Sequence, residues 1–291
     1  MTDSGFVAFE RRGVVAVGGV DARKFLNDLI TAEIGRTSDG NAVYGGLLTP
    51  QGKILFDFIV FPDGERFLFD LPRGLVAEFV KRLTFYRLRA KVEIADLSAE
   101  QSVMASWGGE RPAVDGWIAA DPRLAALGYR CIVAKGTPTP TCRVAVSEAD
   151  YDAHRIGLGV PEGGIDFAFG DAFPHDADMD QLGGVDFDKG CYVGQEVVSR
   201  MQHRGTARRR IVMAAGNGLT QGAEIKAGDR ALGSLASAAH GKGLALIRLD
   251  RAKEAMDAGA AILAGDVPVT LALPPWARFG WPSADAAAEN A

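Results

Sequence analysis

Short apolar segments with strand-like alternation, cut by glycine and proline turns, constrain the fold of this chain more than any single motif. Residues 6–17 read as two strands about a tight turn at Arg12-Gly13. Asp21 stands as an N-cap before residues 22–29, where Phe25, Leu26 and Leu29 share one helical face. Residues 44–48 and 54–61 alternate as a hairpin around Thr49-Pro50-Gln51-Gly52. A turn at Pro62-Asp63-Gly64-Glu65 leads to a strand at 66–71, a short amphipathic helix at 74–83 and a strand at 92–96. This order of strand, helix, strand, strand predicts antiparallel α+β plaits rather than parallel βαβ units.

Strands continue at 101–105, 117–120 and 129–134. A short helical insertion is expected at 122–127, a turn at Thr137-Pro138-Thr139-Pro140 and a helix at 149–156. Residues 163–184 lose regular pattern, and an irregular stretch of that length inside a compact domain is usually functional. Beyond Arg208, short strands with glycine turns at 211–215, 224–226, 231–238, 243–248 and 267–273 predict a small antiparallel barrel, with a helix at 251–258. The expected organisation is an α+β core of two lobes over 1–205 and a barrel over 206–291, with a disordered tail from 281. A chain of 291 residues can supply two or three such cores.

Composition narrows the function classes. The 47% hydrophobic and 24% charged content is that of a soluble globular protein. No apolar run approaches the roughly 20 residues of a membrane span. A net charge of −5 argues against a whole-surface nucleic-acid binder. The first residues do not read as a secretory signal or a transit peptide. Three cysteines without a Cys-x-x-Cys fit a reducing compartment, and the cytoplasm is the expected location of a monomer.

Cys131 and Cys142 lie in strand-like runs and read as buried structural thiols. Cys191 differs, because it lies in Asp188-Lys189-Gly190-Cys191-Tyr192-Val193-Gly194-Gln195-Glu196, between a lysine and an expected helix start. The thiolate is the nucleophile and metal ligand, and a nearby cation or helix N-terminus stabilises it. Lys189 is the expected cation, and Gly190 and Gly194 allow a sharp turn or close approach to a ligand. One cysteine cannot complete a four-cysteine cluster site, so work with iron or sulfur must be shared with a partner or a small thiol.

Other motifs carry two readings each. Glu196 and Arg200 are spaced as a helical surface pair, or, with Gln195, as donors and acceptors for a heteroaromatic edge. Arg200, Arg204, Arg208, Arg209 and Arg210 are a solvated face, a clamp for ligand carboxylates or an RNA contact. Asp176, Asp178 and Asp180 open like a calcium loop, but Gln181 and Phe187 stand where glycine and glutamate are required. The four histidines lack zinc spacing, so no metal site is expected. Gly157-Leu158-Gly159 lacks the third glycine of a dinucleotide fingerprint.

The run Lys-Gly-Cys-Tyr-x-Gly-Gln-Glu, with Arg200 four residues on, resembles the signature of the YgfZ family. Those proteins are folate-binding relatives of the glycine-cleavage T-protein that support iron–sulfur enzymes. Gly19-Val20-Asp21 through Phe25-Leu26, Leu48-Thr49-Pro50-Gln51-Gly52-Lys53-Ile54-Leu55, and Arg155-Ile156 with Gly159-Val160-Pro161 resemble further family stretches. Residues 222–249 resemble the family's C-terminal barrel, so the likeness extends over residues 6–275. It implies two antiparallel α+β lobes around a central folate pocket plus a C-terminal β-barrel.

It also implies tetrahydrofolate or another folate as cofactor, Cys191 as the working thiol, and iron–sulfur client or assembly proteins as partners. The ligand contacts it implies are Asp57, Tyr151, Lys189, Gly190, Tyr192, Gly194, Gln195, Glu196, Arg200 and Arg204. For Tyr151 the choice is between stacking on a pterin and packing as a half-buried helix residue. The alternatives are T-protein-like aminomethyl transfer, a folate-binding factor in tRNA modification, or a scaffold with a vestigial pocket. Against aminomethyl transfer, Phe56-Asp57 replaces the adjacent aspartates of T-proteins, Gly157 stands where they carry glutamate, and they lack the cysteine of the signature.

Overall fold

The computed structural model describes residues 4–38, 40–140, 144–205 and 207–282. The first half runs β1 (Gly5–Phe9), β2 (Arg12–Gly18), α1 (Ala22–Asn27), β3 (Val43–Leu48), β4 (Ile54–Asp63), β5 (Arg66–Pro72), α2 (Val76–Arg87) and β6 (Glu93–Asp96). β7 (Gln101–Trp107), β8 (Trp117–Ala120), β9 (Tyr129–Ala134), α3 (Glu148–Gly157) and α4 (Gln195–Arg204) follow. The rest is β10 (Arg209–Ala215), β11 (Glu224–Ala227), β12 (Arg230–Ala239), β13 (Lys242–Arg248), α5 (Leu249–Asp257), β14 (Ile262–Ala264), β15 (Val267–Pro268) and β16 (Thr270–Ala272).

The named strands form three antiparallel sheets, in the orders β3-β4-β5-β2-β6, β1-β7-β9-β8 and β15-β14-β11-β12-β13-β10-β16. This is the antiparallel α+β architecture, ending in a nearly closed barrel, that the sequence predicts. Alternation along β4 places its two faces in different cores. Phe56, Phe58 and Val60 pack with Phe69, Phe79 and the apolar side of α1. Ile59 and Phe61 face a second core shared with the four-stranded sheet and with Ile211 and Leu244 of the barrel.

Two local expectations are corrected. Arg12-Gly13 is not the turn; the chain bends at residues 10–11 and the two strands part company, β1 pairing with β7 and β2 with β5 and β6. Gly13 is required for packing, since a Cβ there would stand 2.6 Å from Val76 Cγ2. Asp21 makes no side-chain cap; its carboxylate accepts the Lys91 N–H at 2.7 Å. Residues 163–184, irregular as expected, form a packed strap. Phe167, Ala172, Met179 and Leu182 enter the shared core, and the strap exchanges two backbone hydrogen bonds with Ile54 at the start of β4.

Buried charge joins these parts. In the five-stranded sheet Arg12 donates to Asp70 at 2.6 Å, and Arg130 of the four-stranded sheet approaches the other Asp70 oxygen at 3.7 Å. Glu162, leading into the strap, meets Arg11 at 3.0 Å, Arg155 at 3.5 Å and Arg12 at 3.6 Å. Arg155, at the end of α3, bonds Asp152 and Asp166, and Asp166 accepts the hydroxyl of Ser237 from the barrel. Each piece of the molecule thus contributes to one ionic hub.

Burial alone would raise the Glu162 pKa, but Arg155, Arg12 and Arg11 outweigh it and hold the carboxyl at about 2, against an ordinary 4.5. Its folded pKa is depressed, so the stability it contributes is present above pH 4.5 and is lost as pH falls towards 2. Glu162→Gln is expected to cost about 3–5 kcal/mol at neutral pH, the usual effect of stripping one partner from a buried pair. Thermal melts of the variant should also fall less steeply than those of the wild type through that acid window. Parallel pH profiles for the two proteins would show that Glu162 is not the titrating link.

Candidate functional site

The segment around Cys191 is fastened on both sides. Asp186 is buried, and its Oδ1 accepts the N–H groups of Asp188 at 2.9 Å and Lys189 at 3.1 Å. The Lys189 ammonium donates to the carbonyls of Asn27, Ile30 and Ala32 at 2.8, 2.8 and 2.7 Å. Tyr192 turns into the shared core. Between these anchors Gly190 and Cys191 are exposed. Gly194, left-handed at φ 82°, then caps α4 and rests on the turn before β4, where a Cβ would lie 2.6 Å from the Thr49 carbonyl.

This geometry corrects the role expected of Lys189. An ammonium has three donors, and carbonyls take all three. Lys189 therefore secures the loop to the end of α1 instead of standing as the cation beside Cys191. Burial draws its pKa down to about 8, with Glu33, Asp186 and Asp28 opposing. Burial also pushes the Tyr192 phenol up to about 12, and its oxygen has no partner among the described residues.

A second feature surrounds Asp57. This side chain leaves β4 on the face shared with the four-stranded sheet and is buried. Its Oδ2 accepts the Tyr44 hydroxyl at 3.1 Å, while Oδ1 has no partner among the described residues. A buried acceptor left unpaired is uncommon and costly. Burial raises the Asp57 pKa, Arg12 opposes, and Glu162 adds to the rise. Gly163 passes directly over the orphan oxygen, and a Cβ on it would stand 2.6 Å from Oδ1 and 2.5 Å from the Phe169 ring. Beyond Gly163 lies a cleft of about 260 Å³, lined by Arg11, Leu75, Glu162, Gly164 and Phe169 among others.

The remaining expected site residues are not gathered there. Tyr151 is 1% exposed, and its hydroxyl accepts from Arg130 and Arg123 at 2.9 and 3.0 Å. Its ring meets Phe9 and Trp107 edge to face, so no ring face is free for a pterin. Glu196 is 85% exposed and pairs with Arg200 at 2.6 Å, which is the surface-pair reading. Gln195 begins α4 beside it, and Arg204 is exposed near the end of the same helix.

The arginine stretch divides rather than forming a clamp. Arg209 pairs with Asp176 at 2.7 Å, and Arg210 pairs with Asp180 and Asp178 at 2.5 and 3.2 Å. The aspartates that resembled a calcium loop are thus the counter-ions of these arginines.

Cys131 is fully buried, and burial pushes its thiol up to about 12. Cys142 lies outside the described residues. Native protein treated with iodoacetamide at neutral pH is therefore expected to label at Cys191 well before Cys131, read by peptide mapping. Labelling of Cys131 first would overturn the accessibility argument.

Residues 208–279 match the family model described as the CAF17 C-terminal beta-barrel domain. Across the chain, similar proteins include the mitochondrial iron–sulfur cluster assembly factor IBA57 homolog of Mycosarcoma maydis, 30% identical over 93% of this chain and 83% of that protein. The Neurospora crassa homolog is 32% identical over 72% of this chain, which spans 53% of that relative. Human mitochondrial IBA57 is 28% identical over 94% of this chain and 84% of its own length. In fold, the glycine cleavage system aminomethyltransferase T of Bartonella henselae matches with a TM-score of 0.73, over 94% of this chain and 86% of that one, at 17% identity. That last likeness is one of fold alone. The expectation of a cytoplasmic location is overturned, since these assembly-factor relatives are mitochondrial proteins. A cysteine count distinguishes oxidising from reducing surroundings but not one reducing compartment from another.

Proposed function

This chain belongs to the family of IBA57 iron–sulfur cluster assembly factors, and we propose that its share of that work is to lend Cys191 as one thiolate ligand to iron held jointly with a client or assembly protein. The carrying observation is an exposed thiol set between a lysine spent on three carbonyls and a tyrosine sunk in the core. Thiolate is a soft ligand suited to iron–sulfur chemistry, and binding releases the thiol proton. Clusters are commonly held by four cysteine ligands, so a single cysteine needs a partner to supply the rest. In cells lacking this protein, wild type should restore iron–sulfur enzyme activity and Cys191→Ser should not, at equal abundance and with an unchanged melt. Cys142→Ser, the same change outside the signature, should restore it. Full activity with Cys191→Ser would end this reading.

A finer reading follows the YgfZ resemblance and adds a folate as ligand. The orphan Asp57 oxygen, the glycine passing over it and the half-exposed Phe169 fit a flat heterocycle with a hydrogen-bonding edge. The cleft of about 260 Å³ has room for a ring system rather than for a whole tailed cofactor. A reduced folate, when bound, supplies a one-carbon carrier. Asp57 would meet the heterocycle's polar edge and Phe169 would cover a ring face. Titration calorimetry with tetrahydrofolate should show saturable binding, weakened about tenfold by Phe169→Ala, an aromatic contact's usual effect. Glu196→Ala should bind as wild type does, because that carboxylate is spent on Arg200 in solvent. Absence of binding at millimolar folate would remove the ligand and leave the Cys191 reading standing.

A further inference from the structure

One end of the molecule carries apolar side chains that the fold does not need there. Among the most exposed large hydrophobics of the described residues are Val20 (82%), Phe85 (73%) and Leu88 (87%). Val20 precedes Asp21, which is bonded to the Lys91 backbone, so it lies beside the segment that follows Leu88. Between α1 and this segment runs a groove of about 370 Å³, with Phe25, Leu29, Tyr86 and Leu88 on its walls.

Leu88 is the informative residue. It closes α2 at φ 47° and ψ −107°. A side chain is strained at such a positive φ, which glycine adopts without a Cβ clash. Leucine at 88 is thus unfavourable for the fold twice over, through its backbone and through an exposed apolar side chain. Strain of this kind persists where a residue works by contact.

The wall that α2 and its following segment give the groove is basic, while the α1 wall carries Asp21 and Asp28. Residues 73–91 contain Arg73, Lys81, Arg82, Arg87, Arg89 and Lys91 against Glu78 alone, in a chain of net charge −5. Lys24, at the groove, is already paired with Asp28, and Arg82 lies 4.0 Å from Glu78.

We propose that this groove docks an acidic protein segment, which seats a leucine or phenylalanine against Phe25, Leu29 and Leu88. A basic rim with an apolar floor is the complement of an acidic amphipathic helix. Concavity favours a protein segment over a lipid surface. Of the groove's carboxylates, Asp28 is paired with Lys24 and Asp21 accepts the Lys91 N–H, whereas Arg87, Arg89 and Lys91 form no ion pair among the described residues. The inference stands apart from the roles given to Cys191 and Asp57.

The probe is a fluorescent helical peptide with leucine and phenylalanine at i, i+3, i+4 and i+7 and glutamate elsewhere, titrated with the full chain by anisotropy. Controls are the same peptide with lysine for glutamate, and phosphatidylserine–phosphatidylcholine vesicles. The acidic peptide is expected to bind at least about tenfold tighter than the basic one, and more weakly as salt rises. Leu88→Gly should weaken that binding about tenfold while melting no lower than wild type, because glycine relieves the backbone. Tyr86→Ser, on the wall of the same groove, should also weaken it. The proposal fails if both peptides bind alike, if the two variants bind as wild type, or if the chain floats with vesicles and ignores the peptide. A wild type that is dimeric by light scattering, with Leu88→Gly monomeric, would assign the groove to a second copy and overturn it too.

Discussion

The ionic hub around Glu162 and Arg155 is the constraint on which the arrangement of this molecule depends. Three sheets with separate strand orders meet there, and packed apolar faces alone would leave their relative setting loosely specified. Arg12 and Asp70 belong to one sheet, Arg130 to the second, Ser237 to the third, Asp166 to the strap between them and Glu162 to the residues leading into it. Buried ion pairs are a poor source of net stability, because desolvation offsets much of their attraction. Their contribution here is geometric. A buried charge displaced from its partner is heavily penalised, so the network admits essentially one placement of each lobe. Asp57 stands at the margin of this network. Its neighbours Arg12 and Arg123 are already engaged by Asp70 and Asp121, which leaves one of its oxygens without a partner. An unsatisfied carboxyl oxygen is thereby kept beneath Gly163, at the edge of a cleft.

Much of the architecture was legible because it rests on local rules. The β3–β4 hairpin, the strands at 101–107 and 129–134 and the helix over 148–157 follow from alternation, turn residues and period. The hub was not legible, because its members are scattered from Arg11 to Ser237 and periodicity reports only apolar faces. One signal did exist. Asp57 between Phe56 and Phe58, and Asp70 between Phe69 and Leu71, are charges inside strands that are otherwise apolar, and a buried polar residue is the informative exception. Tyr151 and the arginine stretch were misplaced for a related reason. Sequence shows residue type but not counter-ion, and Arg209 and Arg210 find theirs some thirty residues upstream.

The Cys191 loop shows how one signature divides its labour. Lysine, rather than arginine, suits the anchor, because a compact ammonium with three rotatable donors fits three converging carbonyls, whereas a planar fork does not. Those carbonyls lie at and just beyond the end of a six-residue helix whose last acceptors lack partners within the helix, and a cation there also complements the helix dipole. Lys189 therefore completes α1 and fixes the loop in one contact. Tyr192 holds the other side by burial. With both neighbours committed to structure, Cys191 is left free of structural duty and open to solvent. The same α1 that receives Lys189 also lines the groove beside Leu88. The exposed thiol and the exposed apolar groove are thus referenced to one short helix, whose position is set by the anchor that also fixes the thiol.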